Sequence, residues 1–562
     1  MKQLKANSSE LLTLLLIFIA LCPILIFRDF TPDNELKYLS IADEALENGN
    51  LFAFYYQGTV YADKPPLYLW LIMGAKALFG RHINFIIYLF SVIPALVTAF
   101  VMNRFSSRMR FSASTATIMM FTSAFFLAAA VVARMDMLMT MFIVLSIYSF
   151  YRAYELRTAQ SGSDTGTVAH TGVNKWRWLF AIFLFLALFT KGPLGLMIPL
   201  ISLLAFMLWE KRLKKCWNLC FGWRTWLVLI LLSSLWFFLV WREGGNEYLN
   251  NLLFHQTVDR AVDAFYHKEP FWYYFARFWY MTAPLSLFIA AAVIKGWLRP
   301  YTTTSLEKLY LTVFIVTIVM LSMISSKLEI YLLPALPFII HLAAIEKPFI
   351  HRDEILRLCI ALPAIIFLLG LPAVLYYNYM TYMVPQYDKT MLLIVGSILS
   401  LGGLFSLITL NNTNISVKSL GAALLSVAFV TGFFMRGELN NYIGGYNVCK
   451  KAYELAHNKN FRPAGGTPNI TDSQTICFYR FRAGKNFDTF FKQMLTDNGA
   501  DKESVKNFTM RELDENELKV AKNVVFIFKT KDLKKDSTLA ETVATLATYN
   551  YGTYTVCFKK EL

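Results

Sequence analysis

Tyr61-Ala62-Asp63-Lys64-Pro65-Pro66 sets a carboxylate and an ammonium side by side, ahead of two prolines. The prolines fix φ and forbid a helix before them, so both charges ride on a stiff segment. Apolar residues 67–72 (LYLWLI) follow. Ionisable groups at such a rim are paired or functional, because burying charge is expensive. Asp33 and Glu35 open the same polar stretch, just after a long apolar run. Further ionisable residues interrupt apolar runs at Arg134-Met135-Asp136, at Lys191-Gly192-Pro193, and at Lys327 and Glu329 ahead of Tyr331. His255, Asp259, Arg260, His267 and Lys268 precede an aromatic cluster at 271–274. A carboxylate in this set suits a general base. Lys64, Lys191 and Arg260 suit a leaving phosphate. Asp63 with His255 offers donors for a divalent cation (Mg, Mn or Zn). No Gly-rich phosphate loop is present, so no nucleotide is expected.

These groups must be positioned by membrane helices. The 562 residues are 56% hydrophobic and only 16% charged, with 48 Phe. Mean hydropathy is +0.44. That composition excludes an ordinary soluble enzyme, a disordered chain and a disulfide scaffold. About 13 apolar runs approach the roughly 20 residues needed for a crossing. The first, 10–27, reads as an uncleaved signal anchor. The net charge of +16 is carried largely by loops such as Arg104–Arg110, Arg152–Arg177 and Lys211–Lys215. The positive-inside rule puts these in the cytoplasm. Stretches 28–83, 133–136, 191–192, 242–280 and everything after about 436 then lie outside. No basic stripe interleaved with exposed aromatics suggests nucleic acid.

The expected architecture is an all-α polytopic membrane domain, 1–435, with long outer loops 28–83 and 242–280. A small extracytoplasmic α/β domain, 436–562, follows. In the latter, 475–479, 524–529 and 554–559 read as strands, and 488–495 and 539–548 as helices. Cys449, Cys477 and Cys557 leave room for one disulfide. In the first loop, Leu36, Leu39, Ile41, Ala42 and Leu46 predict a helix lying on the membrane surface, with Asp43, Glu44 and Glu47 as a solvated acidic face.

The segments TPDNELKY, YADKPPLYLW, LFTKGPLGL and SSKLEIYLLP resemble the polytopic glycosyltransferases of the GT-C fold. The likeness covers about residues 10–345 and is nearest the aminoarabinose lipid A transferase group of the protein O-mannosyltransferase superfamily. The resemblance implies inverting transfer of a sugar from a polyprenyl (undecaprenyl) phosphate to an extracytoplasmic acceptor: lipid A, another glycolipid or protein. It implies a bacterial inner membrane, with the site on the periplasmic side. Carried over, Asp33 is the base and Glu35 its acidic neighbour. Asp136 is a third acid. Lys37, Lys64, Lys191, Arg260 and Tyr331 line the phosphate site. Asp63 and His255 contact a metal. This chain reads Asp33-Asn34-Glu35 where the family has Asp-Glu adjacent, and Asp63 where Glu is more usual. The alternative is a lipid or sugar transporter, which would gather its charges at mid-membrane in inverted repeats.

Overall fold

The computed structural model describes residues 8–160, 166–253, 269–298, 303–324, 327–346, 353–380, 389–457, 476–522 and 524–559. Among these, ten helices are long and apolar enough to cross a membrane, and up to twelve if each of two bent pairs is one span. The expected count was about 13, and three places explain the difference. Helices Ala113–Thr122 and Ala124–Ala130 meet at 80°, across an extended Ser123. Helices Tyr273–Met281 and Ser286–Trp297 meet at 112°. Helix Pro193–Trp209 has 17 residues, short of the roughly 20 of a straight crossing.

The chain forms two compact units. The first comprises Met1–Cys22, Ala62–Tyr68 and Tyr88–Val430. Its helices Met135–Gln160 and Gly166–Lys191 pack along each other. The second of these stops at Gly192, where φ is +88°, and Pro193 starts the next helix. That φ favours glycine, and proline fits a first helical turn because it has no N–H to leave unsatisfied. A Cβ on Gly195 would lie 2.2 Å from the Ala187 carbonyl oxygen, so glycine lets the two helices close up.

The second unit comprises Pro23–Tyr61, Leu69–Ile87 and Thr431–Leu562. The C-terminal residues therefore share one compact body with most of the first long loop. Its sheet runs in the order Arg511–Leu513, Ile476–Tyr479, Val524–Lys529, Tyr554–Lys559, Thr548–Tyr551. The first three strands are parallel, and the last two run antiparallel to their neighbours. The middle strand buries five successive residues, Val524–Phe528, as a strand covered on both faces should. Cys477 pairs in register with Phe526, and Phe526 with Cys557. Two strand spacings, about 9–10 Å, separate those cysteines, beyond the reach of a disulfide. All seven cysteines are free thiols, so the expected bridge is absent among the described residues.

The first loop holds helix Glu35–Asn48, a two-stranded hairpin (Tyr55–Tyr56 and Thr59–Val60) and helix Leu67–Phe79. The first helix buries Leu36, Leu39, Ile41, Ala42 and Ala45, and packs against helix Asp488–Asp497 rather than offering this face to lipid. Its acidic face is engaged, not solvated. Asp43 is 4% exposed and contacts Lys76 at 2.5 Å and His82 at 2.6 Å. Burial alone would raise its pKa, but His82 and Lys76 overcome this and hold it well below the usual range. Glu44 accepts from the backbone N–H groups of Gln57 and Gly58, closing the hairpin turn onto the helix. Glu47 binds Lys492.

Asp29 joins the loop to the C-terminal residues. Its carboxylate accepts from the N–H of Tyr446 at 2.7 Å and of Phe30 at 2.8 Å. Its own N–H donates to Asn440 Oδ1. Burial, opposed by those two N–H groups, pushes its pKa up to about 7. An acid whose folded pKa is raised favours folding while protonated. The contribution is full below about pH 4, where the unfolded carboxyl titrates, and is lost as pH rises through 7. Asp488, whose oxygens accept from Met510 N–H and Thr509 Oγ1, moves the same way, also to about 7. Stability in detergent is expected to fall between pH 5 and 8, by about 2.5 kcal/mol per acid at most, and the melting temperature with it. Asp29→Asn and Asp488→Asn together should flatten that profile; an unchanged slope would refute the assignment.

Candidate functional site

In the first unit, three chain segments bring charges together. Asp136 lies in the first turn of helix Met135–Gln160, Lys191 is the last residue of Gly166–Lys191, and Tyr331 lies in the 3₁₀ turn Glu329–Ala335. Lys191 Nζ bonds Asp136 Oδ1, and Arg134 Nε lies 3.1 Å from Asp136 Oδ2. The Lys191 ammonium also sits 4.6 Å above the centre of the Tyr331 ring. Ser91 Oγ donates to the carbonyls of Val132 and Arg134, tying down the turn that carries Arg134. Asp136 is 2% exposed and Lys191 8%. Both oxygens of Asp136 hold cations, so it organises the cluster rather than accepting a proton. Cations held in a desolvated site attract an anion such as a phosphate strongly. Asp63 and Lys64 belong to the same unit, half-buried, in the turn that ends where helix Leu67–Phe79 begins.

In the second unit, Lys37 lies 4.9 Å from the Tyr56 ring centre and 4.8 Å from that of Tyr61. The hairpin supplies this cage. Its turn residues Gln57 and Gly58 both have positive φ, as a two-residue hairpin requires. Tyr56 Oη donates to Asn486 Oδ1, and Asn486 Nδ2 donates to the Pro32 carbonyl. Glu35 is 1% exposed and clamped. Arg28 grips both of its oxygens, at 3.0 and 2.8 Å, and Thr31 donates to it from N–H and Oγ1. These bonds make it a positioning residue for the segment that carries Asp33, not a proton acceptor. Asp33 is exposed and makes no hydrogen bond or ion pair among the described residues. Losing one partner of a buried ion pair typically costs about 3–5 kcal/mol. Glu35→Ala is therefore expected to unfold the second unit at markedly lower denaturant; an unshifted midpoint would remove the clamp.

The structure thus joins Asp136, Lys191 and Tyr331 in one unit and places Asp33, Glu35 and Lys37 in the other. His255 and Arg260 lie outside the described residues. Among the described residues no three His, Cys, Asp or Glu side chains gather as a metal site. The sequence reading missed Arg28, which lies seven residues before its partner Glu35, and the tyrosines that enclose Lys37. It had one signal for the tyrosines: their closeness to the Asp63-Lys64 segment.

Residues 10–245 match the family model of dolichyl-phosphate-mannose-protein mannosyltransferase. The undecaprenyl phosphate-alpha-4-amino-4-deoxy-L-arabinose arabinosyl transferase of Shewanella sediminis is 26% identical over 366 residues, 64% of this chain and 63% of that one. A Pseudomonas fluorescens transferase of the same description is 25% identical over 331 residues, 58% of this chain and 55% of its own. The chain thus spans less than two thirds of the length of these relatives. The crystal structure of ArnT from Cupriavidus metallidurans bound to undecaprenyl phosphate superposes with a TM-score of 0.69 at 15% identity, covering 99% of this chain and 98% of that one. This chain therefore has the ArnT-like GT-C fold, and by sequence it resembles the polyprenyl-phosphate glycosyltransferases of the aminoarabinose transferase and protein O-mannosyltransferase kind.

Proposed function

We propose that the protein is an integral membrane glycosyltransferase that moves a sugar from a polyprenyl phosphate to a hydroxyl or phosphate oxygen of an extracytoplasmic acceptor. The carrying observation is the cluster of Arg134 with the buried Asp136 and Lys191, at the ends of helices rather than at mid-span. Charges placed there favour an enzyme over a transporter. The names of the curated relatives and the ligand of the ArnT structure support a polyprenyl donor. The alternation of basic loops supports a bacterial inner membrane with the site on the periplasmic side.

In the proposed step, the acceptor oxygen attacks the anomeric carbon from the face opposite the phosphate. The carbon–oxygen bond to phosphate breaks, and polyprenyl phosphate leaves with the electron pair. Asp33 takes the acceptor's proton, and the sugar inverts. Lys191 and Lys64 stabilise the charge that grows on the leaving phosphate, for which preorganised cations are effective. The reading also gives Lys37 and Arg260 a part in binding phosphate. The reading includes a divalent cation at Asp63 and His255. Asp63 and His255 would hold it, and it would add positive charge beside the leaving phosphate.

The test is transfer in proteoliposomes from a radiolabelled polyprenyl phosphosugar, with 4-amino-4-deoxy-L-arabinose as the first sugar and lipid A as the first acceptor. Labelled acceptor and free polyprenyl phosphate should appear together, and EDTA should slow their formation. Lys64→Ala is expected to abolish transfer at rates normalised to folded protein. Transfer from a nucleotide sugar alone, or full activity in Lys64→Ala, would overturn the reading.

A further inference from the structure

Arginines gather toward the other end of the helix that finishes at Lys191. Arg177 stands fourteen residues before Lys191 in helix Gly166–Lys191, roughly 20 Å away along the axis. The charges that act on it are those of Arg224 and Arg157, and no carboxylate is among them. Arg157 belongs to the last turn of helix Met135–Gln160 and Arg224 to the first turn of helix Trp223–Asn250. Three helices of the first unit thus each bring a guanidinium to one place. Glu155, two residues before Arg157, is engaged elsewhere, by Arg108 and Arg152. Glu210 is held by Lys308.

The heads are held in place. A Cβ on Gly222 would stand 2.8 Å from a terminal nitrogen of Arg177, so glycine lets that guanidinium reach the backbone where helix Trp223–Asn250 begins. The Arg224 guanidinium lies 4.8 Å over the Trp223 ring and 5.7 Å from that of Trp178, and the two rings meet edge to face at 5.6 Å. The Nε–H groups of Arg177 and Arg224 are buried and have no acceptor among the described residues. Basic residues that only orient a membrane protein lie in loops, in water. These three are half-buried at helix ends, where like charges repel more strongly than in water. An anion between them offsets that repulsion.

Guanidinium forks match phosphate oxygens in pairs, and they keep their charge at any working pH. Tryptophan prefers the depth of the lipid headgroups, and Trp223 is exposed beside Arg224. Helix Leu213–Cys220 packs on the two helices that carry Arg157 and Arg177, and exposes Lys214, Lys215 and Trp217. A phosphate in free solution would need the cations but not the tryptophans. Basic pockets between membrane helices suit anionic headgroups. We propose that Arg157, Arg177 and Arg224 bind the phosphate of an anionic phospholipid, in the leaflet facing away from the Asp136–Lys191 cluster. The inference goes beyond the transfer reaction: binding here requires neither sugar donor nor acceptor.

The test uses the full chain in nanodiscs. One set holds phosphatidylcholine alone, a second adds phosphatidylglycerol, a third adds cardiolipin, and a fourth is phosphatidylcholine with pyrophosphate in solution. Native mass spectrometry counts the lipid retained, and a melting curve is recorded for each set. The two anionic lipids are expected to stay bound and to raise the melting temperature. Arg177→Gln and Arg224→Gln should each weaken that binding roughly tenfold, the scale of one lost charge-assisted bond. In phosphatidylcholine alone both variants should melt at or above wild type, because one of three like charges is gone; lost lipid then does not mean a lost fold. Variants that both melt below wild type there would make the arginines structural and overturn the proposal. So would wild-type affinity in both variants, equal retention of phosphatidylcholine, or pyrophosphate stabilising as much as the anionic lipids.

Discussion

Lys191→Ala is expected to lower kcat/KM for sugar transfer by roughly 10²–10³, or about 3–4 kcal/mol of transition-state stabilisation. Removing the ammonium takes away the buried cation that bonds Asp136 Oδ1, and with it that cation's attraction for a departing phosphate. The loss should fall on kcat at least as heavily as on KM, because charge grows on the phosphate as the sugar leaves. Lys191→Arg should recover only part of the rate, since a planar guanidinium above the Tyr331 ring cannot put a point charge where Nζ now stands. Stability will fall as well, so initial rates must be read beside melting curves and polyprenyl-phosphate binding. A kcat/KM within about threefold of wild type would remove Lys191 from the phosphate site, because loss of one preorganised donor costs far more than that.

Lys191 and Asp136 are legible in the sequence because an ionisable residue that breaks an apolar run needs a reason to be there. The same logic locates the central strands, where apolar β-formers are consecutive. It misses Arg511–Leu513 and Thr548–Tyr551, since edge strands are short and polar and carry no such run. It also misreads Asp43. Spacing on a helix reveals which face a residue occupies but not what arrives from elsewhere, and Lys76 and His82 lie 33 and 39 positions away. The union of the first loop with the C-terminal residues is hidden for the same reason. It rests on the packing of helix Glu35–Asn48 against Asp488–Asp497 and on polar contacts such as Asp29 with Tyr446 and Pro32 with Asn486, across more than 400 residues. The resemblance makes Glu35 a catalytic partner of Asp33, two positions before it. Only the bidentate grip of Arg28 reveals that it holds the backbone in place.

That difference between neighbouring acids sets the second large effect. Asp33→Asn is expected to lower kcat by about 10²–10⁴, the range a positioned general base contributes. The melting curve should stay where it is, because Asp33 is exposed and no hydrogen bond or ion pair among the described residues depends on its charge. KM for the polyprenyl donor should also hold, since the phosphate is bound by other groups. Glu35→Gln should do the reverse. It keeps one acceptor for Arg28 and Thr31 but breaks the charge pair, so stability falls, and activity follows only as far as folded protein is lost. Rates normalised to folded protein separate the two cases. If Asp33→Asn turns over at the wild-type rate, the proton leaves by another carboxylate and Asp33 is not the base.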